Sequence, residues 1–367
     1  MKIDTNVIRR EIDLLCKRVY KVKSLTEYRK LKLSIQNLID VYDLLTGNCE
    51  IINIPEIKYY EKLMYGNDYK KFVSFYGEYI ERLDLYKKQT EEVLKSYNGF
   101  INLRDTFYPN QRSYSKSDFI SIIESFLNEF DEKMLKTFRE MCANNQIDID
   151  TPKIVTGDVT YEIASLSKAY VLVDNEGYNL EDMLAIVHEL GHGMSYSNLR
   201  KLSFKQTQLS NSDFNYEIFS LFLESVFLEY FRKNNINQTD LLSSENKLLN
   251  YIKESFLDLE EVNDGIDELG LNYLLDDESD TFDDTLIATA LKYGYGGLVA
   301  LEFSEQYKSD RKDTKRRLHL FDTSQGLIKY DDILSIALTS EEELLSCKVL
   351  RKRLENHNKS IRRKIKL

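Results

Sequence analysis

Apolar residues recur at three- and four-residue intervals over 5–46, 56–96 and 115–146. That spacing predicts long amphipathic helices that pack against one another. Pro109 and the run Asn110-Gln111-Arg112-Ser113 mark a break between the second and third of them. The pattern changes over 153–174, the part of the chain that reads as strand, most clearly at Tyr170-Val171-Leu172-Val173. Asp174-Asn175-Glu176-Gly177 is a turn signal, and Asn179 is a good helix N-cap. Glu181 and Asp182 then fall in a first helical turn, where the helix dipole favours acids. Leu180, Met183, Leu184 and Val187 follow at helical spacing. A further apolar helix is expected over 215–224. The pattern as a whole predicts a mainly α chain with a small sheet beside one helix. It divides into a helical N-terminal region (1–150), a central region (151–346) and a basic C-terminal tail (347–367).

Composition agrees with the helical reading, since 367 residues include only three prolines and 14 glycines. No apolar stretch follows Met1-Lys2-Ile3-Asp4, and none elsewhere is long enough to span a membrane, so a cytoplasmic protein is expected. Cys16, Cys49, Cys142 and Cys347 are scattered and form no metal or redox motif, which suits reduced, structural thiols. A net charge of −11 argues against general nucleic-acid binding. The charge is unevenly spread. Residues 254–284 hold thirteen acids and no Lys or Arg, whereas residues 347–367 hold nine Lys or Arg and one acid. A solvated acidic face and a disordered or helical basic tail explain this most simply.

The candidate chemistry lies in Val187-His188-Glu189-Leu190-Gly191-His192, an H-E-x-x-H pattern in a chain with only four histidines. Two histidines four apart project from one helix face, close enough to ligate one metal ion. Glu189 beside them can take a proton from water that the metal activates. The plain alternative is a helix whose histidines are surface or core residues. A catalytic zinc ion usually has three protein ligands and one open position. His319 and His357 lie far along the chain, so the third ligand is expected to be a carboxylate. Glu217, Ser220 and Glu224 stand at i, i+3 and i+7 and share one face of the 215–224 helix. A carboxylate on so apolar a helix is costly to bury unless it is paired or metal-bound. Glu217 is therefore read as the ligand and Glu224 as the partner that orients a ligand histidine. The alternative is that Glu224 and Glu229 form the wet face of an amphipathic helix.

These residues resemble the thimet oligopeptidase and oligopeptidase F family of zinc peptidases. Leu180-Glu181-Asp182 leading into His188-Glu189-Leu190-Gly191-His192 is similar to that family's helix start and H-E-x-G-H motif. Glu217-x-x-Ser220-x-x-x-Glu224, beginning 29 residues after His188, is similar to its third-ligand helix. Lys292-Tyr293-Gly294-Tyr295-Gly296-Gly297 resembles its Tyr-rich segment, and Leu318 to Leu334 its closing segment. The resemblance covers about residues 153–345 and implies a helical zincin-type fold holding one zinc ion. It implies hydrolysis of short peptides, with His188, His192 and Glu217 as metal ligands and Glu189 as general base. It further implies that Tyr295 donates to the oxyanion and that Tyr293 beside it contacts substrate. Oligopeptides are the expected partner, recognised by strand addition along 168–174, with no nucleic acid and no membrane span.

Two departures stand out. Between Gly193 and Leu318 there is no histidine, where the family has one before its Tyr segment; Asp283 or Asp284 falls near that place. The chain is also shorter than its relatives, chiefly at the N-terminal side. A catalytically weakened peptide-binding protein is therefore the second reading. A third is nucleic-acid or anionic-membrane binding through residues 347–367, which would be strongly salt-dependent. If the acidic segment 254–284 flanks the cleft, it favours cationic peptides.

Overall fold

A computed structural model describes residues 2–47, 112–151, 158–174, 177–199, 217–234, 240–252, 254–255, 290–324 and 330–365. The expected helix over 56–96, the break at Pro109, Cys49 and most of the acidic segment, including Asp283 and Asp284, lie outside these residues.

Two of the long helices expected from apolar spacing are each divided in two by a cap. Residues 5–46 form α1 (Thr5–Val19) and α2 (Leu25–Thr46). Ser24 adopts extended backbone between them, and its hydroxyl accepts from the Glu27 amide at 3.2 Å. Residues 115–146 form α3 (Lys116–Phe130) and α4 (Glu132–Ala143), divided at Asp131, whose carboxylate accepts from the Lys133 amide at 2.9 Å. Such caps supply partners for amide groups that a helix start leaves unbonded. Apolar spacing runs through both breaks because each half buries a stripe of its own. Ile8, Ile12 and Leu15 of α1 meet Leu31, Ile35 and Leu38 of α2.

The sheet has three strands in the order β1-β3-β2: β1 (Ile147–Asp148), β2 (Val159–Ile163) and β3 (Lys168–Leu172). β1 falls ahead of the expected strand region and is too short to show a period. β3 is central, parallel to β1 through Ile147 and Val171, and antiparallel to β2 through Tyr161 and Tyr170. Its two faces go to different layers. Tyr170 and Leu172 pack with the α1–α2 hairpin, while Val171, and Val173 just beyond the strand, join the main core. A strand covered on both faces reads as a continuous apolar run, as this one does.

α5 (Leu180–Leu199) follows the sheet and carries the H-E-x-x-H residues. Its start is a reciprocal cap: Asn179 Oδ1 accepts from the Asp182 amide at 3.0 Å, and Asp182 Oδ2 from the Asn179 amide at 2.8 Å. α6 (Ile218–Lys233) is buried along most of its length and packs on α5. A helical stretch over 240–252, α7, comes next. A single π turn, Ala290–Tyr295, leads into α8 (Gly296–Ser309), which packs on α6. The chain continues through α9 (Arg311–Ser324), α10 (Tyr330–Ile336), α11 (Glu341–Leu345) and α12 (Lys348–Ile365).

One apolar core runs from Phe119 of α3 to Leu354 of α12, and the β1–β3 ladder crosses residue 150. The basic segment, expected as a disordered or helical tail, is a docked helix. Leu350, Arg353, Leu354 and His357 are buried. Arg353 donates to Ser225 Oγ at 2.6 Å and also to Ser304 Oγ, tying α12 to α6 and α8. Cys16, Cys142 and Cys347 are unbridged. No described helix is long and apolar enough to cross a membrane.

Candidate metal centre and cleft

The H-E-x-x-H residues occupy the middle of α5, where it crosses α6. The crossing is close because residue 191 is glycine. A Cβ there would lie 2.5 Å from Ser220 Oγ and 2.9 Å from Ser220 Cα. With the backbones this near, one face of α6 meets His188 three times. Ser220 Oγ donates to the His188 carbonyl at 2.8 Å. Glu224 Oε1 lies 2.5 Å from His188 Nδ1, and Glu217 Oε2 lies 3.1 Å from His188 Nε2. The i, i+3, i+7 spacing of Glu217, Ser220 and Glu224 thus converges on a single imidazole.

His192 completes a triangle. Its Nε2 lies 3.0 Å from His188 Nε2 and 3.3 Å from Glu217 Oε2. Three ligands of a tetrahedral zinc ion with bonds of roughly 2.0–2.1 Å stand about 3.3 Å apart, so the spacing fits. Glu217 Oε2 is buried with no hydrogen-bond donor aligned on it, and such an oxygen suits a metal ligand. Burial opposes ionisation of Glu217, yet the His192 and His188 imidazoles hold its carboxyl well below the usual range. Burial likewise opposes the His188 cation, but Glu217 and Glu224 raise its pKa well above the ordinary value. His188 and Glu217, which favour charge on one another in so enclosed a spot, hold the kind of pairing that a dication would replace.

His188, Glu189 and His192 also offer three potential ligand atoms within 4.8 Å of one another. Glu189 is engaged elsewhere, however, since its Oε2 accepts from Thr160 Oγ1 of β2 at 2.6 Å. Glu217 is therefore the better third ligand on geometry, which leaves Glu189 beside the triangle.

An open cleft of about 710 Å³ reaches His188, Glu189, Glu224 and Tyr293, with Glu181, Lys247, Tyr251 and Glu254 on its walls. Lys247 pairs with Glu181 at 2.8 Å. Tyr293 reaches inward, its hydroxyl donating to Glu217 Oε1 at 3.3 Å and its ring packing on Tyr251 at 4.6 Å between centroids. Burial, together with Glu217, Tyr251 and Glu189, pushes the Tyr293 phenol far above its usual pKa, so it stays a donor. Tyr295 is placed differently: it is 0% exposed and belongs to the main core. The π turn brings the first tyrosine of the pair to the cleft and encloses the second.

The expected docking edge at 168–174 is not an edge, because β3 is paired on both sides. Among the described residues, the strand left unpaired on one side and packed near α5 is β2. Thr160 and Tyr251 carry no signal in the sequence, and Gly191 stands there only as the glycine of the motif. An isolated glycine inside an apolar helical pattern was the available signal for Gly191.

No family pattern and no curated protein matches the sequence. Solved structures share its fold. One, a provisionally assigned oligoendopeptidase F from Bacillus anthracis str. Ames, is 14% identical with a TM-score of 0.52, over 92% of this chain and 63% of that one. Another, a provisionally assigned peptidase from Chlamydophila abortus, is 17% identical with a TM-score of 0.55, over 93% of this chain and 62% of that one. The chain thus spans less than two thirds of the length of these structures. This chain, mainly helical with a three-stranded sheet, thus has an oligoendopeptidase F-like fold.

Proposed function

We propose that the chain is a zinc-dependent peptidase that hydrolyses short peptides. The observation that carries the reading is the triangle of His188 Nε2, His192 Nε2 and Glu217 Oε2 at the cleft, with sides of 3.0, 3.1 and 3.3 Å. Those three residues would hold the ion, with Glu224 fixing the tautomer of His188. Zinc bound there would supply a Lewis acid that polarises water and the scissile carbonyl. Glu189 accepts the proton of the attacking water and returns it to the departing amine as the C–N bond breaks. Tyr293, in place of the enclosed Tyr295, donates to the carbonyl oxygen as it gains charge. An extended peptide would lie along β2, the strand beside α5 that is open on one side among the described residues, and main-chain pairing there would ask little of its sequence.

The test compares the wild-type protein with Glu189→Gln on a mixed oligopeptide library, with zinc measured in both. Zinc in both and cleavage slowed by about a hundred- to ten-thousandfold in the variant is the expected result. Equal cleavage rates would remove Glu189 from the mechanism. Zinc in both with cleavage in neither would favour the peptide-binding reading.

A further inference from the structure

Resting on the peptidase reading, we infer that Thr160 is a positioning residue for the general base, so that Glu189 is aimed from the edge strand β2 and not from its own helix. Thr160 Oγ1 lies 2.6 Å from Glu189 Oε2 and 3.0 Å from the Glu189 carbonyl oxygen. A threonine hydroxyl has one proton to give. The shorter contact has the length of a charge-assisted O–H···O⁻ bond, so the proton goes to the carboxylate.

Three surroundings support the assignment. Glu189 is 5% exposed, so water does little to hold its carboxylate, and a fixed donor does more. Thr160 sits opposite Val171 of β3, and its neighbours Val159 and Tyr161 pack toward the α1–α2 hairpin. Strand alternation therefore aims Thr160 at α5 and leaves it little freedom. The bond also spans elements that a substrate would touch in sequence. A peptide lying along β2 would press on the strand whose side chain sets the angle of the base.

The test uses Thr160→Val, which keeps shape and removes the hydroxyl, and Thr160→Ser, which restores the hydroxyl. Zinc content, KM and kcat are measured on a peptide, with binding of a peptide hydroxamate as a second readout. A hydroxamate on the ion shares a proton with the base, so it reports the carboxylate's aim without turnover. For Thr160→Val, zinc and KM stay as in the wild type, kcat falls about tenfold or more, and hydroxamate binding weakens by a similar factor. Thr160→Ser recovers most of both. Wild-type kcat and hydroxamate affinity in Thr160→Val, or a serine variant as impaired as the valine one, would overturn the inference. So would loss of zinc in step with activity, since that marks a structural role. If the wild-type chain holds zinc and cuts nothing, the peptidase reading fails, and the hydroxamate series alone still decides whether Thr160 aims Glu189.

Discussion

At the scale of single residues, the site was legible wherever its chemistry follows a helical period. His188 and His192 one turn apart, and Glu217 and Glu224 two turns apart, announce a shared face before any coordinates exist. Thr160 had no such signature: one polar residue on a five-residue strand looks like any other, and only the sheet reveals that it meets Glu189. The different placements of Tyr293, which lines the cleft, and Tyr295, which is enclosed, were not legible, because the π turn that sets them has no signature in the sequence. Gly191 carries the sharpest consequence at this scale. Gly191→Ala places a methyl group against Ser220 and forces α5 and α6 apart, which should destabilise the protein by about 1–3 kcal/mol. Because α6 brings Glu217 and Glu224, zinc content should fall as well. Thermal unfolding and metal analysis of the variant would check both, and a variant with unchanged melting and full zinc would contradict the close-crossing account.

At the scale of elements, existence and type followed from the sequence better than number did. Caps at Ser24 and Asp131 divide two predicted helices, yet each is a single polar residue inside a long apolar rhythm. β1 was invisible at two residues. β3 could be seen as a strand but not as the central one, because a run buried on both faces does not say which neighbours pair with it. β2 holds a testable charge. Burial pushes the Glu162 carboxyl from its ordinary 4.5 up to about 8. The folded state therefore favours the protonated acid. Its contribution to stability is fully present below about pH 4.5 and is lost as the pH rises through about 8. Glu162→Gln removes the ionisation, so between pH 6 and 9 the melting temperature of the variant should decline less than that of the wild type. Parallel declines would show that Glu162 ionises as freely when folded as when unfolded.

At the scale of the whole molecule, one core runs from α3 to α12, with the α1–α2 hairpin added behind the sheet. Charge hides how the C-terminal segment docks. Nine Lys or Arg among 21 residues look like a solvated tail, but the helix turns Leu350, Arg353, Leu354 and His357 inward at three- and four-residue spacing. Arg353 is the unusual member, a buried guanidinium held by two serine hydroxyls and by Glu305 at 3.5 Å. Arg353→Met should cost about 2–3 kcal/mol, the worth of its charge-assisted bonds, without stranding Glu305, which keeps Lys308 and Lys352 as partners. Denaturant unfolding would measure it, and a variant as stable as the wild type would show that α12 docks by its apolar residues alone.

That docking sets an order of events in the cell. Arg353 grips Ser225, the residue next to Glu224, so the last described helix braces the one that orients His188. On a ribosome, His188 is made 160 residues before Lys348. At roughly 5–20 residues per second, the His188 and His192 side chains wait on the order of ten to thirty seconds for that brace. The nascent chain thus carries the H-E-x-x-H residues early and their finished surroundings late.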